Sequence, residues 1–374
     1  MNKEVHNDID RIIFLADVHF GIRNGSIEWI ENIKDYFVNF FIPFIKENKK
    51  DGFNPCVVIA GDYFDNRQSV DINVMNVAID VMEMIAKECK VFMVIGNHDI
   101  YKKSETDLTS LRPLLYIDNV TVIYDMMELE IKDGKKFLLV SWVGNMKAEN
   151  KIITENKDDY DYLVFHTELS GMTYANDRPI INGLNLNVVD SCKIISGHIH
   201  KRQESKKGIY LGSPYHLDRS DIGNKKGVYV FSVKDGGISR SFKENDYSPE
   251  YVLERFSNIG RNPEKWKDIV SNNYAYIVLT TEELGIVNTE KFLSELRQYN
   301  PKHLELIEEK TQINVNDTQT VDEDGNVIDM TVSSDATIEE IFDAKIKAFK
   351  LKKNEQKRIN KINADYLKRA LNDE

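Results

Sequence analysis

Three short apolar runs, separated by longer amphipathic stretches, restrict the fold of this chain more than any other feature. The runs occupy residues 12–16, 56–60 and 91–95. Apolar residues recur with helical spacing in the two stretches between them, residues 29–46 and 70–86. Runs this short and this apolar are typical of strands that are buried on both faces of a sheet. The alternating order of strands and helices therefore predicts an α/β sheet covered by helices on both faces.

Further apolar runs continue this pattern toward residue 240, with fewer helices between them. They lie at residues 120–124, 137–142, 162–165, 193–196, 209–211 and 228–232. Their close succession predicts that residues 1–240 form one layered α/β sandwich.

The rest of the chain divides by composition into three segments. Residues 241–310 combine two strand-like runs with a helical pattern, which predicts a small α+β domain. Residues 311–336 are polar and acidic, which is typical of a linker. Residues 337–374 contain neither proline nor glycine, and apolar residues recur in them with helical spacing, which predicts a helical arm. The apolar stripe of this arm consists of Ile338, Ile341, Phe342, Ile346 and Phe349.

The net charge of −12 argues against a protein that coats nucleic acid, because phosphate binding needs clustered Lys and Arg. It leaves open an enzyme that acts on nucleic acid, since bound metal ions and a local basic patch can reverse the local field. The charge is unevenly distributed. Residues 345–369 hold ten basic and two acidic side chains, so the rest of the chain is near −20. This asymmetry predicts a separate basic appendage.

Three widely spaced cysteines, Cys56, Cys89 and Cys192, indicate neither a disulfide framework nor a zinc site. Residues 1–10 are polar, and no apolar run approaches the roughly 18 residues that a membrane-spanning helix needs. No signal peptide is evident. We therefore expect a cytoplasmic protein that does not enter a membrane.

Five short polar motifs each follow a predicted strand directly. They are Asp17-Val-His19, Gly61-Asp62, Gly96-Asn97-His98-Asp99, the single His166, and Gly197-His198-Ile199-His200. Ligands bind in α/β sheets at the carboxyl ends of the strands, so these side chains are expected to converge. Asp, Asn and His together are an oxygen and nitrogen donor set, which suits manganese, iron or zinc. The sequence therefore predicts a metal centre without thiolate ligands.

Each motif taken alone has an ordinary structural explanation. A strand-end carboxylate such as Asp62 often caps a turn or a helix, and Asn97 beside a glycine often forms a turn. The joint pattern favours metal binding, because five of the eight histidines fall within these motifs and in one order. The histidines that receive the structural interpretation are His6, His216 and His303.

Two spacings leave the arrangement of the ligands open. The members of Asp17-x-His19 and of His198-x-His200 would share a face on an extended strand, whereas on a turning loop they would reach different metals. A carboxylate placed between two ions, as Asp62 could be, would hold them about 3.5–4 Å apart, the separation used for in-line phosphoryl displacement.

The order of these motifs resembles the calcineurin-like metallophosphoesterases over residues 11–235. Within that family the chain is similar to the SbcD nucleases, the bacterial and phage relatives of the meiotic-recombination-eleven DNA repair nuclease. That similarity rests on Gly61-Asp-Tyr-Phe-Asp65 with Arg67, on Leu211-Gly-Ser-Pro214 and on the C-terminal layout. Its size and divergence are similar to those of tailed-phage recombination endonuclease subunits. The resemblance implies a layered α/β/β/α sandwich with a small α+β capping domain and a C-terminal helical arm.

The resemblance also implies a role for each motif residue. One metal ion would be held by Asp17, His19, Asp62 and His200, and a second by Asp62, Asn97, His166 and His198. His98 would contact the scissile phosphate or protonate the leaving oxygen, and Asp99 would orient His98 through a hydrogen bond. The two divalent ions of the family are most often manganese, with magnesium as the alternative. Asp65 stands where archaeal and eukaryotic relatives carry a second active-site histidine, so the role of that histidine is not transferred to it.

The implied activity is the cleavage of DNA, as exonuclease and endonuclease, in recombination and double-strand-break repair. Relatives act as dimers with an SMC-like ABC ATPase of the SbcC type. This predicts an ATPase-docking segment within residues 337–371 and a dimer interface on the helices near residues 29–44 or 70–86. Two alternatives remain open. One is another phosphodiesterase or phosphatase of the family, acting on small molecules or phosphoproteins; the other is an inactive scaffold. The regions beyond residue 240 favour DNA over the first, and the intact ligand set argues against the second.

Overall fold

The computed structural model describes residues 2–102, 105–191 and 193–309. The predicted linker at 311–336 and the predicted helical arm at 337–374 lie outside the described residues, as does Cys192. The strands are β1 (Asn2–His6), β2 (Arg11–Leu15), β3 (Pro55–Ala60), β4 (Val91–Val94), β5 (Ile100–Lys102), β6 (Glu105–Thr109), β7 (Val120–Ile123), β8 (Met126–Ile131), β9 (Lys135–Val140), β10 (Tyr162–Phe165), β11 (Ile194–Ser196), β12 (Gln203–Glu204), β13 (Gly208–Tyr210), β14 (Gly227–Lys234), β15 (Gly237–Glu244), β16 (Tyr251–Arg255), β17 (Tyr274–Thr280) and β18 (His303–Glu309).

Helices occupy many of the connections between these strands. They are α1 (Ile22–Gly25), α2 (Ile27–Tyr36), α3 (Ile42–Lys50), α4 (Ile72–Ala86), α5 (Met146–Asn156), α6 (Phe256–Ile259), α7 (Lys267–Val270), α8 (Thr281–Ile286) and α9 (Thr289–Arg297). A π-helical turn, Phe37–Phe41, joins α2 to α3, so the helix predicted at 29–46 is one longer helical stretch. Within the described part of the chain, no helix has both the length and the apolarity needed to cross a bilayer.

The first sheet carries the three apolar runs at its centre. Its strand order is β15–β14–β2–β3–β4–β7, and the four strands from β2 to β7 are parallel. Both faces of the central strands are buried. Phe14 on β2 packs between the two main sheets, whereas Ile13 beside it packs with the helices. The predicted α/β sheet with two buried faces is confirmed.

A second sheet, in the order β1–β8–β9–β10–β11–β13–β12, packs on the first. The apolar layer between the sheets includes Phe14, Phe92, Phe137, Val164 and Ile195. Helices α2, α3 and α4 cover the outer face of the first sheet. Helix α5 packs on the outer face of the second sheet. The layers therefore follow the order α/β/β/α, and the predicted sandwich is confirmed.

A third sheet of three parallel strands, β16–β17–β18, follows these two in the chain. With its helices it forms a core of its own that includes Trp266, Phe292 and Leu296. Strand β15 pairs with β14 as far as Glu244, beyond the boundary predicted at residue 240. That residues 1–240 and 241–310 are separate domains stays a prediction.

Stacked aromatic rings join the third sheet to α2. The four residues Trp29, Tyr251, Tyr274 and Tyr276 are called the aromatic junction. The ring centroids are 5.8 Å apart for Trp29 and Tyr274 and 4.6 Å apart for Tyr251 and Tyr274, with an interplanar angle of 11° in both pairs. The Tyr274 hydroxyl donates to Oε1 of Glu28 at 2.7 Å. The junction therefore buries its ring faces and still gives this hydroxyl a partner.

Candidate metal centre

Both main sheets end at the candidate metal centre. The motif residues Asp17 and His19 follow β2, Asp62 follows β3, Asn97 follows β4, His166 follows β10, and His198 and His200 follow β11. All of them lie at carboxyl ends of strands, where α/β sheets gather their ligands. The structure brings the seven predicted metal ligands together in two adjoining groups.

The first group consists of Asp17, His19 and His200, whose potential ligand atoms lie within 4.8 Å of one another. The Nε2 atoms of His19 and His200 are 3.0 Å apart. Oδ1 of Asp17 accepts a hydrogen bond from the backbone N–H of His198 at 2.9 Å. The other oxygen, Oδ2, is buried and has no hydrogen-bond partner among the described residues. A buried carboxylate oxygen without a partner is costly, and a cation beside it would remove that cost.

The second group consists of Asp62, His166 and His198, and Asn97 lies among them. Oδ1 of Asn97 is 3.1 Å from Nε2 of His166 and 2.9 Å from Nδ1 of His198. Oδ2 of Asp62 is 3.0 Å from Nε2 of His166. Oxygen and imidazole nitrogen thus face one another around one point, without thiolate, and this donor set fits manganese, iron or zinc.

Asp62 lies between the two groups. The same Oδ2 atom that is 3.0 Å from Nε2 of His166 is 4.0 Å from Nε2 of His19. Oδ1 of Asp62 accepts a hydrogen bond from the backbone N–H of His98 at 2.8 Å, which orients the carboxylate. A carboxylate shared by two metal ions needs such a position. The donor set and the unpaired oxygen of Asp17 together fit two divalent ions, and the individual assignments stay predictions.

Four of the predicted ligands adopt a backbone conformation that residues with side chains rarely occupy. The angle φ is 56° at Asp17, 53° at His19, 52° at Asp62 and 80° at His198. Left-handed conformations of this kind cost of order 1–3 kcal/mol each and persist where the surrounding structure imposes them. Such clustering of strain favours a functional site over ordinary turn capping.

Two glycines leave the space that these side chains occupy. A Cβ atom at Gly61 would lie 2.2 Å from Nδ1 of His166, and a Cβ atom at Gly96 would lie 2.2 Å from Oδ1 of Asp62. Both distances are far inside van der Waals contact, so only glycine fits at either position. The two motif glycines therefore allow the backbone to approach the ligands closely.

A backbone carbonyl fixes the orientation of His166. Its Nδ1–H donates to the carbonyl oxygen of Ala60 at 2.8 Å. In the neutral ring this leaves Nε2 without a proton and directed at Asp62 and Asn97. Metal-binding histidines typically donate their second nitrogen in this way.

Burial and neighbouring charge shift the pKa values of the centre in opposite directions. Burial raises the pKa of Asp17 to about 6. Burial also opposes ionisation of Asp62, but the imidazoles of His166 and His19 hold its pKa well below the usual range. Burial disfavours a charged His166, but Asp62 outweighs it and raises the pKa of that imidazole to about 9. Burial lowers the pKa of His198 to about 3. A divalent cation would therefore have to displace the proton that Asp62 stabilises on His166.

His98 lies beside the centre, outside the two groups of predicted ligands, and its potential ligand atom is within 4.8 Å of those of His19 and Asp65. Its Nδ1 donates to the backbone carbonyl oxygen of Asp65 at 2.6 Å. Its ring stands edge-on to that of His19, with 5.1 Å between the centroids. Because Nδ1 is engaged, Nε2 is the nitrogen that can face a substrate.

The structure corrects the predicted partner of Asp99. Its Oδ1 accepts from the backbone N–H of Phe64 and its Oδ2 from the backbone N–H of Gly96, both at 2.9 Å. The predicted hydrogen bond to the His98 ring is wrong, because both Asp99 oxygens accept from backbone N–H groups and Nδ1 of His98 donates to the Asp65 carbonyl. Burial, followed by the charge of Asp62, raises the pKa of Asp99 to about 7. Asp99 therefore joins the loops after β3 and β4 and acts on His98 through the backbone.

Asp65 is a site residue whose contacts the sequence did not reveal. Its Oδ1 lies 3.1 Å from Nδ1 of His19, and its carbonyl accepts from His98. A carboxylate on the second nitrogen of a histidine orients that ring for metal binding. The sequence places Asp65 three residues after Asp62, but this spacing does not indicate which histidine its carboxylate contacts.

This two-sheet architecture, with a buried Asp/His centre at the carboxyl ends of both sheets, agrees with the result of a family comparison. Residues 10–202, just over half of the chain, match the model of the calcineurin-like phosphoesterase family. The chain therefore belongs to the calcineurin-like phosphoesterase family. The predicted family is confirmed, and the predicted class of enzyme, a metal-dependent phosphoesterase, agrees with it.

Individual proteins are similar to parts of the chain. Putative phosphoesterase 078R of Invertebrate iridescent virus 3 is 26% identical over 212 residues, 53% of this chain and 55% of that protein. Exonuclease subunit 1 of Enterobacteria phage T4 is 24% identical over 226 residues, 60% of this chain and 65% of that protein. The chain thus spans less than two thirds of either relative. The crystal structure of a 5'-nucleotidase precursor from Thermus thermophilus aligns with 63% of this chain and 53% of its own, at 11% identity and a TM-score of 0.34.

Proposed function

We propose that this chain is a two-metal DNA nuclease that hydrolyses phosphodiester bonds as exonuclease and endonuclease. The observation that carries the proposal is the position of Asp62, whose Oδ2 faces His19 of one ligand group and His166 of the other. A carboxylate in this position could hold two ions at the separation of about 3.5–4 Å that in-line displacement uses. The similarity to a phage exonuclease subunit supports a nuclease over other activities of the family.

Two divalent ions, when bound, would neutralise the diester and generate a nucleophile from water near neutral pH. The residues that would hold them are Asp17, His19, Asp62 and His200 for one ion, and Asp62, Asn97, His166 and His198 for the other. Four of these seven ligands are imidazoles, which suit manganese better than magnesium. We therefore propose manganese as the activating metal.

His98 would act on the leaving sugar oxygen. The carbonyl of Asp65 holds Nδ1–H, so Nε2 would face the bound diester. Negative charge develops on the leaving oxygen as its bond to phosphorus breaks, and a proton on Nε2 would be donated to it. Asp65 would keep the ring from turning, because its carbonyl fixes which nitrogen faces the substrate.

The proposal extends to partners that the family resemblance implies. We propose a homodimer and an SbcCD-like complex in which residues 337–371 dock on an SMC-like ATPase, acting in recombination and double-strand-break repair. The apolar residues of the predicted dimer helices give the dimer no separate support, because they are buried in the core. Ile33 and Phe37 in the stretch 29–44, and Val81 and Met82 in the stretch 70–86, are examples. Light scattering that detects only monomers at all working concentrations would contradict the dimer.

The docking segment is tested by truncation after residue 336. We expect the truncated chain to keep manganese-dependent cleavage of short single strands and to lose co-purification with the ATPase. Normal binding of the ATPase by the truncated chain would contradict the docking proposal and leave the nuclease proposal intact.

The nuclease activity is tested by adding manganese to the full chain with linear duplex, plasmid and hairpin DNA, and in parallel with a chromogenic diester. We expect cleavage of DNA that Asp62→Asn abolishes and that Asp118→Asn, an exposed change in the turn before β7, leaves intact. Turnover of the chromogenic diester without cleavage of any DNA would instead favour a phosphodiesterase of small molecules.

A further inference from the structure

Lys226 is a lysine beside the metal centre whose side chain is only 2% exposed. Its ammonium donates to the carbonyl oxygen of His200 at 2.7 Å, to Oγ of Ser213 at 2.9 Å and to the carboxylate of Asp221. A lysine is almost never buried unless its charge is paired and its donors are used. Three acceptors for three N–H groups meet that requirement.

The three acceptors belong to three different segments. His200 ends the last metal motif, Ser213 lies in Leu211-Gly-Ser-Pro214, and Asp221 ends a short 3-10 turn. The second carboxylate oxygen of Asp221 accepts from the backbone N–H of Leu217 at 2.8 Å. Lys226, just before β14, therefore links these three segments through the hydrogen bonds of one ammonium group.

The carbonyl of His200 is held from two directions. It accepts from the backbone N–H of Ser213 at 3.1 Å and from Nζ of Lys226 at 2.7 Å. Fixing this carbonyl fixes the peptide from which the imidazole extends. That imidazole places its Nε2 3.0 Å from Nε2 of His19, in the first ligand group.

We propose that Lys226 is a positioning residue for His200 and thereby sets the affinity of the first metal ion. The proposal rests on the proposed function, in which His200 is a ligand of that ion. Without the ammonium, the His200 carbonyl would keep one partner and the Asp221 carboxylate would be buried without a counter-charge. The segment that carries His200 would then relax, whereas the second ligand group makes no contact with Lys226 in the interactions described above.

The test is a manganese titration of the full chain that compares Lys226→Met with Lys225→Met. Lys225 is the matched control, because it is the neighbouring lysine, is 64% exposed and pairs with Glu244 at the surface. We expect Lys226→Met to bind one of the two ions about 10- to 100-fold more weakly, as changes beside a metal ligand do. Lys225→Met should bind both ions as the unchanged chain does. Equal binding by Lys226→Met and Lys225→Met would overturn the proposal.

The His200→Ala background separates positioning from general damage. If Lys226 acts through His200, adding Lys226→Met to His200→Ala leaves the affinity for the remaining ion unchanged. A further loss of that affinity would show that Lys226 supports the whole centre, which overturns the proposal. Manganese electron paramagnetic resonance of Lys226→Met should show the coupled two-ion signal replaced by that of single ions at limiting manganese.

Folding of Lys226→Met is checked by its cooperative thermal transition. If that transition is lost, Ser213→Ala is the variant that tests the proposal. It removes one of the three acceptors, so we expect a severalfold weakening of the same ion and no effect in the His200→Ala background. Unchanged affinity of Ser213→Ala would overturn the proposal in that case. An unchanged chain that binds two ions and cuts no DNA would contradict the nuclease function and leave the role of Lys226 standing.

Discussion

The metal centre and the aromatic junction are both buried, and both carry polar atoms. They differ in whether the protein itself supplies hydrogen-bond partners for those atoms. At the junction, the Tyr274 hydroxyl donates to Glu28, and the backbone N–H of Tyr251 donates to Nδ1 of His216 at 3.2 Å. At the centre, Oδ2 of Asp17 has no partner among the described residues. A buried carboxylate oxygen left unpaired calls for an explanation, and a cation beside Asp17 would supply one.

The two regions also differ in backbone conformation, and again it is the metal centre that is unusual. Asp17, His19, Asp62 and His198 all have positive φ, whereas none of the four junction residues is among the described residues with that conformation. Strain and unpaired polar atoms therefore occur together at the centre. The junction shows that stacked, paired side chains can hold two elements together without either feature. We conclude that the centre is shaped for a ligand and the junction for stability, and the following predictions test that division.

Asp62→Asn should have the largest effect on activity, because it removes the shared charge while keeping the size of the side chain. We expect cleavage to fall about 10³-fold or more and the bound manganese to fall below two ions per chain. The metal-free variant should unfold at a lower temperature, since the buried His166 imidazole loses the carboxylate that pairs with it at 3.0 Å. Metal analysis that still gives two tightly bound ions would show that Asp62 is not the bridge.

His98→Ala should reduce cleavage by about 10²- to 10⁴-fold, the usual contribution of a general acid. It should leave two manganese ions bound, because the ring belongs to neither ligand group. Metal analysis and cleavage rates are compared with those of His200→Ala. A loss of metal as large as that of His200→Ala would mean that His98 is itself a ligand.

Trp29→Ala should cost about 3–5 kcal/mol of unfolding free energy, because it removes a buried ring from the junction. Manganese stoichiometry should stay at two, since the ring contacts no predicted ligand in the stacking described above. Chemical denaturation gives the first quantity and metal analysis the second. Ile27→Ala, at a position 68% exposed on the same helix, is the control with little effect. Weakened metal binding in Trp29→Ala would mean that the two regions are coupled.

His216 should make the junction sensitive to acid. Burial lowers its pKa from 6.5 in the unfolded chain to about 4 in the folded protein. The unfolded chain therefore takes up the proton first, and the free energy of unfolding falls as the pH drops from 6.5 toward 4. The His216 contribution is at most about 3 kcal/mol, measured by denaturation of the metal-free protein. His216→Gln should show a shallower decline, and an identical decline would exclude His216 as its cause.

Manganese affinity should rise with pH. The change expected over one pH unit is the smallest of the effects predicted here. The pKa of His166 is raised to about 9, so below that pH a proton must leave before the imidazole can bind metal. One displaced proton gives up to about tenfold tighter binding per pH unit, measured by titration between pH 6.5 and 8.5. Trp29→Ala should show the same slope. An affinity independent of pH would mean that His166 is not a ligand.

The sequence predicted those parts of the fold and centre that depend on local patterns. The runs at residues 12–16, 56–60 and 91–95 could be assigned to buried strands because they are short and wholly apolar. The convergence of the motifs followed from the geometry of parallel strands, since their carboxyl ends share an edge. Asp62 follows a neighbouring parallel strand and lies between the two ligand groups, and its role as the bridge stays a prediction.

The parts that the sequence did not predict depend on contacts between distant segments. Asp99 meets the backbone of Phe64 rather than the ring of His98, because the loops after β3 and β4 lie against each other. Lys226 lies in Asn-Lys-Lys-Gly, a stretch that is typical of an exposed turn. Only the packing of β14 shows that Lys226 is buried while Lys225 faces solvent. Neither contact has a signature in residue type or spacing.

The spread of the ligands along the chain has a consequence for the time at which activity can arise during synthesis. His19 and His200, whose Nε2 atoms are 3.0 Å apart, are separated by 181 positions, and β2 is flanked on one side by β14, which is made later still. A nascent chain that has emerged only as far as Asp99 carries the residues of the first sheet's loops and none of His166, His198 or His200. Ribosome-bound chains of that length therefore lack the complete centre. The proposed nuclease would therefore stay inactive on the ribosome until His200 has been translated.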